Sequence, residues 1–141
     1  MRRRSATPVD REDLFRLSRS IDDVLDNLRD FSRELELYRP PDVRSFLPLL
    51  HVIGGALDAL HDSVRSLADG PDAIVDAARR SDHAASAVRR EFELAIARAL
   101  DRPSDDGALR ERELLRRLDV VGLRLGEAAD ALGDGGLKRV S

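Results

Sequence analysis

Within the stretch SIDDVLDNLRD, residues 20–30, Asp22, Asp26 and Asp30 recur every fourth residue, with Asp23 beside the first. On a helix this spacing stacks the carboxylates along one side, where like charges cost roughly 0.2–0.5 kcal/mol per pair. Three kinds of chemistry are compatible with such a ladder. It can be a solvated face, a set of local ion pairs, or a site for a cation. Arg19, Arg29 and Arg33 stand three and four residues away and supply the ion pairs. Asp22 and Asp26, one turn apart, offer two carboxylates to a hard cation, which prefers oxygen ligands. Phe15 and Leu25 flank Asp22 on the same side, which would partly cover it.

The remaining candidates give less. Asp58 and His61 share a helix face with Asp62 adjacent, a donor set that suits a transition metal or an exposed polar face. His51 lies in an apolar segment and reads as a core or rim residue. His83, beside Asp82, reads as exposed. No glycine-rich phosphate loop follows a strand, and Ser, His and Asp occur without a nucleophile motif. Nothing in the sequence argues positively for an enzyme.

The elements that must position these residues are helices. Leu14, Leu17, Ile21, Val24, Leu28, Phe31, Leu35 and Tyr38 alternate steps of three and four, an a/d seam that leaves all three ladder aspartates off it. Thr7 as cap, Pro8 in the first turn and the acids Asp10, Glu12 and Asp13 mark the start, and RPPD at 39–42 marks the end. A second helix carries Phe46, Leu49, Leu50, Ile53, Leu57, Leu60, Val64 and Leu67, and Pro48 must lie in its first turn or kink it. Gly54 and Gly55 weaken it and would allow a close neighbour. After DGPD at 69–72 a third helix runs from about Ala73 to Leu100. Its seam is Ile74, Ala78, Ser81, Ala85, Val88, Phe92, Ala95 and Ala99, whose small residues invite close packing. After DRPSDDG a fourth helix shows Leu114, Leu118, Val121, Leu125, Ala128 and Leu132, with Gly122 and Gly126 on one face, and GDGG at 133–136 as its end. No strand pattern appears. The expected fold is all-α, an antiparallel bundle of about four long helices in one domain. Residues 1–6 and 134–141 are expected to be tails.

Composition narrows the function. Aromatic residues make up 4% of the chain, so the core is built from Leu, Val, Ile and Ala, which suits helices. Net charge is −3, and the Arg2–Arg4 cluster is too short to attract nucleic acid. The absence of cysteine removes disulfides and thiolate metal sites. The most apolar run, Phe46 to Leu57, is shorter than the ~20 residues of a membrane span. MRRR is followed by SATPVDRED and not by an apolar stretch, so no signal peptide is read. The expectation is a cytoplasmic protein without membrane insertion.

The residues TPVDREDLFRLSRSIDDVLDNLRDFSRELELYRP resemble the PhoU-like family of phosphate-transport regulators. The closest branch comprises accessory proteins associated with Pit-type inorganic phosphate transporters. Thr7 to Asp13 resemble its TPxDRED phrase, and Asp22 to Asp26 its DDxxD segment. VRREFELAIARALDRP and RRLDVVGLRLGEAADAL resemble the later helices, while residues 40–80 match mainly in helical character. The resemblance implies an antiparallel helical bundle with a non-catalytic, regulatory role at the inner membrane face, acting by contact with a Pit-type transporter. It also implies metal ions, divalent or ferric, held by Glu/Asp-x-x-x-Asp motifs. Asp22 with Asp26, and Asp26 with Asp30, fit that motif. The later copies depart from it: Ser81 and Ala85 are not acidic, Leu123 stands where Asp119 needs a partner, and Glu127 and Asp130 are three apart. Relative to the family, the chain starts after the first helix. An apolar groove left uncovered in this way tends to find a partner, so a homo-oligomer is expected, as a twofold dimer. The alternative is a structural or oligomerising helical module that has lost the metal role.

Overall fold

The computed structural model describes residues 11–140, and of residues 134–140 the backbone alone. Four helices carry the fold: α1 (Arg11–Tyr38), α2 (Leu47–Arg65), α3 (Pro71–Leu100) and α4 (Asp106–Val140). Short 3-10 turns, Val43–Phe46 and Ser66–Ala68, lead into and out of α2. Among the described residues there is no strand, and the all-α bundle expected from the seams is the observed architecture. Thr7, Pro8 and Asp10, expected to open the first helix, and the tail 1–6 lie outside the described residues.

The breaks fall where proline, glycine and aspartate dictate. Arg39 adopts the left-handed conformation, φ 47°, and its N–H reaches Leu35 O at 3.2 Å. Pro40 ends the helix here, because a residue before proline is driven from the right-handed helical region. Asp42 then accepts the Arg44 N–H at 2.9 Å and caps the turn that starts α2, whose first turn holds Pro48. Gly70, φ 106°, supplies the bend that only glycine takes easily, and Pro71 opens α3. Asp105 Oδ1 accepts the Ala108 N–H at 2.8 Å and caps α4. One boundary differs from expectation. The GDGG segment does not end α4, and residues 134–140, expected as a tail, continue the helix to Val140. Each glycine costs a helix about 1 kcal/mol, which weakens it without the steric block that proline imposes.

The helices pack as a sequence of neighbours: α1 against α4, α4 against α3, α3 against α2. The chain therefore folds up-down-up-down, with α4 in contact on two sides. All six seam residues of α4 are buried. At Gly122 α3 comes close, with Val88 Cγ1 3.4 Å from where a Cβ would stand. Between α2 and α3 the small seam residues also close up. Ser63 Oγ donates to Ala59 O or Ala77 O, at 2.7 and 2.9 Å, and lies 2.7 Å from Ser81 Oγ, with Ser63 and Ser81 both buried. The other expected approaches are absent: a Cβ at Gly54, Gly55 or Gly126 would meet no neighbour.

The apolar run of α2 belongs to a longer segment than the sequence suggested. Val43–Ala68 is long and apolar enough, by length and composition, to cross a membrane. In this fold Phe46, Leu49, Ile53, Ala56 and Leu60 of that segment are buried in the core.

Candidate interaction surface

The aspartate ladder does not behave as one unit. Asp30 turns toward α4, where Arg117 lies 3.8 Å away, and toward Arg33 at 3.4 Å. Asp26 is exposed beside Arg29 at 3.8 Å, and Asp22 is exposed. Arg117 is the centre of the polar contact between α1 and α4. Its Nε and Nη2 donate to the two oxygens of Glu34 at 3.3 and 2.9 Å, and its Nη1 donates to Asn27 Oδ1 at 2.8 Å. Asn27 is oriented by its own bond to Asp23 O. Glu34 is buried, so this two-pronged pairing is what makes its charge tolerable there. The hydrogen bond to Glu34 above all, and then the charges of Glu34 and Asp30, hold the Arg117 guanidinium above its ordinary pKa. The motif reading had no place for Glu34. Its sequence signal is an acid next to Leu35 and three residues past Phe31, on the buried stripe of the helix.

This arrangement bears on metal chemistry. A hard cation wants six or more oxygens, and Asp22 with Asp26 bring two carboxylates among arginines. Among the described residues no three Asp, Glu or His side chains converge as a metal site. The residues at the ladder therefore do not fit a tightly held ion. Asp58, His61, Asp62 and His51 are exposed on α2, and His83 is exposed on α3; His51, read as a core or rim residue, does not lie in the core.

A groove of about 390 Å³ runs between the start of α1 and the second half of α4. Arg16, Arg19 and Arg124 line it together with Asp23, Glu127 and Asp130. Arg124 Nη1 donates to Glu127 at 2.9 Å, which raises the Arg124 pKa, while its buried Nε has no hydrogen-bond partner. Acids and bases balance across this groove, so it sets up no net field for an ion of either sign.

The larger feature is apolar. Along α1 the seam divides into two rows. Leu17, Val24 and Phe31 are buried, whereas Ile21, Leu28 and Leu35 are half-buried and Leu14 is 41% exposed. On α2, Leu49, Ile53 and Leu60 are buried, whereas Leu50 and Leu57 are half-buried and Val64 is 40% exposed. Both incompletely covered rows repeat every seven residues, so each forms a straight stripe along its helix. The two helices that carry them, α1 and α2, have little close backbone approach to one another. At one end the Phe31 and Phe46 rings touch edge to face, with centroids 5.7 Å apart. Gly54, on the same side of α2, opens onto empty space. The result is an apolar cleft between two helices, a shape that receives a third helix.

Comparison with known proteins brings no match, whether to family models, to curated proteins or to solved structures.

Proposed function

We propose that this chain works by binding and not by catalysis, as a PhoU-like accessory protein that modulates inorganic phosphate transport or its signalling through protein–protein contact. The observation that carries the binding reading is the α1–α2 cleft, where two apolar stripes with one repeat stand apart. Contiguous apolar surface of this kind marks interaction sites more often than single exposed leucines do. The phosphate-transport reading rests on TPVDRED and DDVLD in the first helix, and it places the protein at the cytoplasmic face of the membrane. The test is capture of a Pit-type transporter from solubilised membranes by the full chain, compared with Leu57→Glu, which puts a charge in the cleft. Capture by the parent and not by the variant supports this reading. Equal capture by both, or none by either, refutes it.

The ladder is proposed as a former metal face, now weak or vacant. Elemental analysis of the purified protein should return well under one ion per chain. A stoichiometric ion that disappears in the Asp22→Asn, Asp26→Asn double variant would show that the site is in use.

The second reading is a structural or oligomerising module. The same cleft favours it, because an apolar cleft serves assembly as well as regulation.

A further inference from the structure

The half-covered row of α1 is part of a complete second seam. Leu14, Ser18, Ile21, Leu25, Leu28, Ser32 and Leu35 follow one another in steps of four and three, rotated from the seam that faces α4. Leu25 is 48% exposed and Ser18 and Ser32 are exposed, so this face reaches from the cleft to the surface. A helix with a second such seam is shaped to pack against one more helix.

We propose that the helix it receives is α1 of a second copy, antiparallel about a twofold axis beside Leu25 and Leu28. Two observations select this occupant. First, the seam is self-complementary in that direction. With Leu25 against the partner's Leu28, symmetry repeats the contact, and two Leu–Leu layers form the centre. Ile21 then faces the partner's Ser32, and Ser18 faces the partner's Leu35. Second, the charges agree with the same register. Asp22 and Arg29 flank the seam on its outer side, and this pairing places Asp22 beside the partner's Arg29, twice by symmetry. Among the described residues Arg29 has only a long, exposed contact to Asp26, at 3.8 Å, which leaves it available to a partner. The two α1 helices form the centre of the dimer. A twofold interface of this kind uses the same patch on both subunits.

The seam shares the Ile21-to-Leu35 side of α1 with the cleft of the binding reading, on which this inference rests; the test uses the full chain alone, without any transporter, so its failure is distinguishable from failure of the proposed function. Light scattering at tens of micromolar should give the mass of two chains. Leu25→Glu should shift the mass to one chain while the helical circular-dichroism signal stays unchanged. Asp22→Arg, at an exposed position, should weaken dimerisation on the order of tenfold through two like-charge contacts. Adding Arg29→Asp to Asp22→Arg should restore dimerisation. A parent chain that stays monomeric at high micromolar concentration overturns the proposal. So does an assembly of another mass, one insensitive to Leu25→Glu, or a charge swap that fails to rescue.

Discussion

At the scale of residues, the most consequential side chain is Arg117. It satisfies Glu34, which is 8% exposed, and ties two helices that are far apart in sequence. Removing it leaves a buried carboxylate without its cation, the costly half of any ion-pair deletion. Arg117→Ala should lower stability by about 2–3 kcal/mol, below the fully buried range because the arginine is 28% exposed, as read from urea denaturation. Combining it with Glu34→Leu should recover part of that loss. Asp42 makes a smaller, pH-dependent contribution. Hydrogen bonds from the Arg44 side chain and then its backbone N–H hold the Asp42 carboxyl below the usual carboxylate range. A lowered folded pKa means that the cap stabilises above the usual range and is lost as pH falls through the folded value. Carboxyl titration by NMR should find Asp42 titrating below the usual aspartate range, and Arg44→Ala should move it upward.

At the scale of elements, the glycines separate helix propensity from packing. Gly55 sits within α2 with open space around a would-be Cβ. Gly55→Ala should therefore stabilise by about 0.5–1 kcal/mol, seen as a raised Tm, because only backbone entropy changes. Gly107, in the first turn of α4, is the opposite case. A Cβ there would come 2.9 Å from Pro41 Cγ, in a ring that cannot swing aside. Gly107→Ala should cost about 1–3 kcal/mol in the same assay through this overpacking. The contact also shows how the α1–α2 and α3–α4 connections support one another. α1 has no basic residue in its last turn, and Arg110 of α4 supplies one by donating to Tyr38 O at 2.6 Å. Arg102, just past α3, meets both oxygens of the buried Glu111 of α4 at 2.6 Å.

At the scale of the whole molecule, stability is graded by position. α4 touches α1 and α3 and buries its full seam, whereas α2 leans mainly on α3 and leaves Leu50, Leu57 and Val64 partly open. Opening free energy follows buried contact, so native-state hydrogen exchange should be slowest in the middle of α4, around Leu118–Leu125, and faster by orders of magnitude in the outer face of α2. Uniform protection across all four helices would contradict the open arrangement described for α1 and α2.

The sequence by itself determined the helices and nearly all their boundaries. Seam periodicity is a local property, and Pro40, Gly70, Pro71 and Asp105 act on the backbone within a few residues of themselves. It also placed the ladder aspartates off the first seam. The tertiary structure alone decided which half of each seam is covered. Leu14 and Leu17 are equally apolar, and only the position of α4 buries one and leaves the other at an open edge. It likewise decided that Asp30 faces an arginine 87 residues further along the chain, and that Gly122 meets a neighbour while Gly126 does not. Those outcomes depend on the separation and rotation of whole helices, which no local pattern encodes.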